Sequence, residues 1–310
     1  MLKRIESMSK SLKGFNVYKK VFLFITIVFL LTSCSSPTEN ERLKVSATTW
    51  IGYSPLYYAK EMGWLKPLNI KLLHVTSLSE NMYLFETGNS DAYVGTQYEH
   101  SVLSKKDPTL MPVMLFDRSN GGDIVMSNVS VESLKDTTQD IDAYLEMDSI
   151  NNTMLKDFIK KYGLEDNKIN YINRDQGYIS TLKSEDLKNP TIIVTYTPYD
   201  STLEKHGFKN IASTKDDLEL LVIDALYTQE KTMLKHKNQF LALKKLVNKA
   251  IDKLKADPRG FYEKVKPYML EVSYDDFYNS LGNIVWINGD VSGELKKQMK
   301  ESRYPTGGLL

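Results

Sequence analysis

The sequence predicts an α/β fold made of two successive units of alternating strands and helices, with a hinge and a cleft between them. Three observations carry that expectation. Short apolar runs alternate with helix-period segments from Leu43 to Phe116. The same alternation starts again between Ala143 and Pro198, and the chain then turns mainly helical, leaving those last helices no strands of their own to cover.

Taken in order, Leu43 to Thr49 reads as the first strand, and Ser54-Pro55 supplies an N-cap and an N1 proline for a helix running to about Gly63. Ile70 to Val75 is a second strand. A helix near Ser79 to Glu86 ends at Gly88, and the strand Asp91 to Gly95 and the run Leu110 to Phe116 follow. This βαβαβ order predicts a largely parallel sheet, with ligand residues on the loops at the carboxyl ends of its strands. The second unit reads as strand Ala143 to Met147, helix Ser149 to Tyr162 stopped by Gly163, strand Lys168 to Ile172, a short helix around Gly177 to Leu182, and strand Thr191 to Tyr196. Leu218 to Leu226 is an apolar stretch, and helices are expected over Gln229 to Ala256, Pro258 to Leu270 and Ser273 to Leu281. If those helices return to the first unit, the chain crosses between lobes twice, near Ile124 to Asn128 and near Leu220 to Ala225. The first lobe is then 43–125 with 225–310, and the second is 126–224. Lys244, Lys245, Lys249, Lys253 and Lys255 lie opposite Leu243, Leu246, Val247, Ala250, Ile251 and Leu254, as a solvated helix face would, although contact with a permease or with lipid headgroups is the other reading.

The amino terminus has the form of a lipoprotein signal. Lys19-Lys20 precede the apolar run Val21 to Leu31, which is well short of the ~20 residues a membrane-spanning helix needs, and Leu31-Thr32-Ser33-Cys34 closes it. Residues 1–33 are expected to be removed and Cys34 to carry lipid, with 34–42 as a polar tether; a short buried helix or a signal anchor is the alternative. Cys34 is the only cysteine, so it has no internal disulfide partner. The expected location is the bacterial cell envelope, with the globule lipid-anchored to a membrane on its extracytoplasmic side. Lys and Arg number 40 against 39 Asp and Glu, a balance that suggests no nucleic-acid partner.

Enzyme signals are weak. The 4 histidines, His74, His100, His206 and His236, are scattered without metal-ligand spacing, and no P-loop, G-x-S-x-G or H-E-x-x-H motif occurs. No cofactor or metal is expected. Recognition signals fall on the strand-end loops. Trp50, Gly52, Tyr53 and Tyr57 leave the first strand and enter the first helix, where they either wall a ligand pocket or fill the gap between strand and helix. Gln97 and Glu99 follow another strand end; Glu99 is a candidate ligand or a first-turn helix carboxylate. Glu146 and Asp148, two apart, would share one face at a strand end, with helix capping near Ser149 as the alternative for Asp148. Asp117 and Asp123 bracket a glycine-rich bend, which turn chemistry explains equally well. Asp224 sits inside an apolar run, where a hinge hydrogen bond would account for it. Against these acids only Arg118 and Arg174 offer fixed positive charge, so a nitrogen-bearing solute is expected. Helix N-termini at Ser54 and Ser149 would suit the anionic end of a zwitterion.

Four motifs in order carry a family resemblance: Trp50-Ile51-Gly52-Tyr53-Ser54-Pro55 with Glu61-x-Gly63, Gly88-Asn89-Ser90-Asp91-Ala92, Asp117-Arg118-Ser119-Asn120-Gly121-Gly122-Asp123, and Tyr196-Thr197-Pro198-Tyr199. Together they resemble the solute-binding proteins of the nitrate, sulfonate and taurine ABC importers, a group that includes binders of thiamine-pyrimidine precursors. The resemblance spans Leu43 to about Ile287. It departs in the second lobe, where Leu134-Lys135-Asp136 and the segment Glu146 to Asn151 stand in place of the family's Gly-Lys turn and small-residue loop. It implies a two-lobed type II periplasmic-binding fold, a monomer holding a small solute between its lobes and delivering it to permease and ATPase subunits. It adds Ser119, Asn120, Asp123, Tyr196 and Tyr199 to the candidate ligand residues. Sulfonate, taurine or nitrate binding on the same fold, an exported pyrimidine-synthase-like enzyme, and a ligand-sensing lipoprotein without a transporter are the alternatives.

Overall fold

The computed structural model describes residues 41–310 apart from 216, 217, 219, 288 and 290. The signal segment and Cys34 lie outside the described residues. The chain lays down β1 (Leu43–Ala47), α1 (Ser54–Glu61), β2 (Ile70–His74), α2 (Leu78–Glu86), β3 (Ala92–Thr96), α3 (Gln97–Leu103) and β4 (Leu110–Ser119). It then builds β5 (Asp123–Ser127), α4 (Val131–Asp136), β6 (Ile141–Leu145), α5 (Ile150–Tyr162), β7 (Ile169–Asn173), α6 (Gln176–Ile179), β8 (Thr191–Tyr196), α7 (Tyr199–Lys205) and β9 (Lys209–Ser213). Finally come β10 (Ile223–Gln229), α8 (Glu230–Lys235), α9 (Lys237–Ala256), α10 (Pro258–Val265), α11 (Tyr274–Ser280), β11 (Ile284–Trp286) and α12 (Gly293–Glu301).

Two mixed sheets organise these elements. The first has the order β11-β4-β10-β3-β1-β2 and the second β7-β6-β8-β5-β9. In the first, β1 pairs in parallel with β2 and β3, whereas β10 lies antiparallel between β3 and β4. In the second, β6 pairs in parallel with β7 and β8, and β5 lies antiparallel between β8 and β9. The largely parallel sheet expected from the sequence thus holds only for β2-β1-β3 and β7-β6-β8, the remaining pairs are antiparallel, and the strand that follows each crossing enters its new sheet in the opposite direction. This corrects the expectation near Ile124 to Asn128, since that segment is the strand β5 and the crossing itself is Asn120 to Gly122. The second crossing lies between the end of β9 at Ser213 and the start of β10 at Ile223.

Local sequence explains most boundaries. Gly163 takes a left-handed conformation (φ 67°) and ends α5, and Ser149 caps that helix by accepting from the Asn151 N–H. Ser54 is not the N-cap of α1; a 3-10 turn over Ile51–Tyr53 leads straight into the helix, and no side chain caps it. The expected long helix from Gln229 breaks at His236 into α8 and α9. Helix α9 buries Phe240, Leu243, Val247, Ala250, Ile251 and Leu254 in the core of the first lobe, beside Leu43 and Val45 of β1, and leaves Lys245, Lys249, Lys253 and Lys255 exposed. Among the described residues no helix is long and apolar enough to cross a membrane.

Candidate functional site

The site forms where the carboxyl end of β1 faces the crossing strands. Trp50 is extended (φ −142°, ψ 136°), and its indole Nε1 donates to both carboxyl oxygens of Asp117 at 3.3 and 3.4 Å. Two glycines make room for that indole. A Cβ at Gly52 would stand 2.0 Å from Asp117 Oδ2 and 2.3 Å from Trp50 Nε1, and one at Gly122 would stand 2.5 Å from Trp50 Cη2. The close approach expected of Gly52 is thus to the Trp50–Asp117 pair. Tyr196, from the second sheet, meets Trp50 edge-to-face at 5.9 Å, and Tyr199 backs Tyr196 at 5.3 Å.

Five carboxyl groups gather here: Glu99, Asp117, Asp123, Glu146 and Asp224, none more than 4% exposed. Strand register makes Asp117 and Asp224 cross-strand partners in the first sheet, and Asp123 and Tyr196 partners in the second. Tyr53 donates its hydroxyl to Asp224. Burial pushes Asp117 and Asp224 well above the carboxylate range; the Asp123 charge adds to both, and the Asp117 charge adds to Asp224. Burial also pushes Asp123 up to about 7 and Glu146 up to about 8, with the Glu99 charge contributing to both. Among the described residues no lysine or arginine offsets any of these shifts. An unpaired ionised carboxylate in such a setting costs several kcal/mol, so each group holds a proton or needs a cationic partner.

The cavity among them is lined by Thr48, Trp50, Tyr53, Leu78, Thr96 and Asp224 from the first lobe and by Asp123, Ile150 and Tyr196 from the second. The centre of a water-sized sphere can roam about 20 Å³ of it. One water needs ~10–15 Å³ on that measure, so the lobes are closed down on the site. Closure has identifiable contacts. Glu99 completes a capping box on α3 by accepting from the Thr96 N–H at 2.7 Å, and its other oxygen accepts from the Ile150 N–H of α5 at 3.1 Å. Ile150, Tyr196 and Tyr199 join the apolar core of the first lobe, and at the rim Lys205 of α7 pairs with Asp276 of α11 at 2.7 Å.

Comparison with known proteins sets this geometry in context. The NMT1/THI5-like family profile matches residues 50–260. The chain belongs to that family. Solved structures share its two-lobed periplasmic-binding fold at low identity. A ligand-binding component of an ABC-type import system from Staphylococcus aureus, with zinc bound, superposes with a TM-score of 0.67 at 14% identity, covering 85% of this chain and 93% of that one. The alkanesulfonate-binding protein SsuA from Xanthomonas axonopodis pv. citri, bound to MOPS, gives 0.67 at 12%, covering 84% and 90%. The nitrate-binding protein NrtA from Synechocystis PCC 6803 gives 0.61 at 14%, covering 81% and 72%. No curated protein sequence matches the chain.

Within this family member the structure brings together Trp50, Gly52, Tyr53, Asp123 and Tyr196, with Glu99, Glu146 and Tyr199 directly behind them. Other candidates are placed elsewhere. Tyr57 is a core residue: its hydroxyl donates to the carbonyls of Ala47 and Thr48, and its ring stacks on Tyr268 at 4.4 Å. Gln97 spends its amide on the backbone of Leu221 and Ile223. Ser119 belongs to the hinge, where its hydroxyl lies 2.7 Å from that of Thr214, and Asn120 accepts from Arg118 there. Asp148 does not share a face with Glu146. Strand β6 stops at Leu145 and the chain turns, so the two-residue alternation lapses; Glu146 is buried and Asp148 exposed. Arg118 lines a separate surface pocket behind the hinge, and Arg174 is exposed against Tyr178, so neither supplies the cavity with charge. Sequence reasoning did not assign Thr48, Leu78, Thr96, Ile150, Asp117 or Asp224 to the cavity or its acid cluster. Asp224 had a legible signal, a carboxylate within an apolar run.

Proposed function

We propose that the chain is the solute-binding component of an ABC importer, which closes two lobes around a small nitrogen-bearing solute and passes it to a membrane permease coupled to an ATPase. A zwitterion, an amine or an amino-heterocycle fits the site. The observation that carries the ligand class is the charge of the cavity: buried carboxyl groups and aromatic rings converge with no basic side chain among the lining residues. A nitrate or alkanesulfonate would meet those acids, and the α5 N-terminus, the natural seat for an anion, is already taken by Glu99. The absence of His, Cys and Lys from the lining residues supports binding over covalent chemistry. The fold likeness to importer components supports the transport role, and Cys34 would hold the domain at the outer face of a membrane through lipid.

The test is a thermal-shift screen of amines, amino acids and amino-heterocycles against nitrate and sulfonates. A ligand at 100 times its dissociation constant adds about 2.7 kcal/mol of stability. Stabilisation by nitrogen-bearing solutes alone is expected, and stabilisation by plain anions alone would overturn the ligand class. Labelled palmitate should enter the wild type and not Cys34→Ala.

A further inference from the structure

The five buried acids of the site differ in what the protein itself offers them. Asp117 accepts from the Trp50 indole, Asp224 from the Tyr53 hydroxyl, and Glu99 from two backbone N–H groups, one in each lobe. Two acids are left with unused acceptors. Asp123 Oδ2 and both oxygens of Glu146 make no hydrogen bond, although their residues are 4% and 2% exposed. The backbone N–H groups of Leu78 and Gln176 approach Glu146 closely enough to favour its anion, yet they do not reach hydrogen-bond geometry.

These unused acceptors occupy separate positions. Asp123 opens β5 and lines the cavity, whereas Glu146 follows β6 and stands outside the lining residues. Neither is among the charges that shift the other, while both act on the Tyr196 phenol, whose own hydroxyl is buried and unpartnered. One ammonium group seated at Asp123 therefore leaves Glu146 unsatisfied, and buried acceptors without donors are rare because they are costly.

We infer that the solute carries two separated nitrogen donor groups, one received by Asp123 and the other by Glu146, with the part between them lying against the Tyr196 ring. The inference rests on the solute-binding reading above and narrows it to two-headed nitrogen compounds. The lobes must open to admit such a solute and close with it inside, since the cavity as it stands holds little more than a water.

Isothermal titration of the whole exported domain with matched probes tests this: ethylenediamine, putrescine and cadaverine against ethylamine, butylamine and pentylamine. At least one diamine should bind about ten-fold or more tightly than the monoamine of equal chain length, as expected for one added charge-assisted hydrogen bond. Glu146→Gln should weaken diamine binding more than monoamine binding and so shrink that advantage. Equal affinity of the paired probes, or a Glu146→Gln effect that falls equally on both, would overturn the inference, and the wild-type comparison stands even if the variant folds poorly. Binding of neither set also overturns it. The solute-binding reading itself fails only if nothing in the wider screen raises the melting temperature.

Discussion

Glu99 and Ile150 join the two lobes through one hydrogen bond, the Ile150 N–H donating to the Glu99 carboxylate across 3.1 Å. The donor is the first residue of α5, so the carboxylate also faces the positive end of that helix. The other oxygen of Glu99 completes the capping box on α3. One side chain thus couples a helix start in the first lobe to a helix start in the second. The surface pair Lys205–Asp276 spans the same gap, but with the lysine 63% exposed it adds little.

Glu99→Ala should therefore do more than Thr96→Ala. Both remove the capping box, at about 1 kcal/mol. Only Glu99→Ala also leaves the Ile150 N–H without its acceptor across the gap, an added loss of about 1–3 kcal/mol. Small-angle scattering of the solute-free protein should show expansion for Glu99→Ala and none for Thr96→Ala. Equal radii would mean that the bond caps α5 without holding the lobes together.

Gly52 makes a second prediction. A Cβ there falls within 2.0 Å of Asp117 Oδ2, so Gly52→Ala must separate Trp50 from its acceptor. Overpacking of this kind costs about 1–3 kcal/mol. Chemical denaturation should register that loss, and the emission of Trp50, one of 3 tryptophans, should shift as its indole N–H changes partner.

Much of the fold was legible because periodicity is local. The strands at Leu43, Ile70 and Thr191 and the helix at Ile150 announce themselves by apolar runs, caps and stopping glycines within a few residues. Strand β5 did not, since a short, wholly buried run looks the same whether it crosses between lobes or pairs inside a sheet. Strand β9, Lys-Asn-Ile-Ala-Ser, has no clear alternation at all. The site was legible in its aromatics and less so in its acids. Asp117 and Asp224 meet because β10 returns between β3 and β4, a long-range register that no local pattern records. Tyr57 misled for the opposite reason: it sits one helical turn beyond Tyr53 in sequence, but the 3-10 turn over Ile51–Tyr53 sets the two rings in different surroundings.

The raised carboxyls make stability and binding depend on pH. The folded protein holds protons on Asp123 up to about 7 and on Glu146 up to about 8, whereas the unfolded chain releases them near the ordinary values of 3.8 and 4.5. Between those limits the folded state binds more protons than the unfolded one, so stability is fullest below the unfolded values and falls as pH rises through 7 and 8. Thermal melts of the solute-free protein should show a lower midpoint at pH ~9 than at pH ~6. A cationic solute favours the ionised acids, so its affinity should rise over the same interval and its binding near neutrality should release protons. Titration in buffers of different ionisation enthalpy measures that release directly. Proton uptake, or none, would mean that Asp123 and Glu146 do not receive the solute's positive charge.

The hinge gives the last prediction. Thr214 Oγ1 lies 2.7 Å from Ser119 Oγ and accepts from the Gly121 N–H at 3.0 Å, while Ser119 Oγ accepts from the Asp123 N–H at 3.0 Å. Two hydroxyls thus tie the first crossing to the second and fix the backbone just ahead of Asp123, which lines the cavity. Gly121 within that bend is left-handed (φ 109°), and the backbone on either side of it is held by the Asn120 N–H donating to the Asn283 carbonyl and the Thr197 N–H donating to the Gly122 carbonyl, both at 2.9 Å. Thr214→Val keeps the shape and removes the oxygen, leaving the Gly121 N–H and the Ser119 hydroxyl without this partner; the expected cost is about 1–3 kcal/mol. Because both partners belong to the crossings and neither lines the cavity, the variant should alter how readily the lobes open while leaving the closed site chemically intact. Stopped-flow tryptophan emission on mixing with a stabilising solute should show changed opening and closing rates. A change confined to equilibrium affinity, with both rates scaling as though a ligand contact had been lost, would assign Thr214 to the binding surface instead.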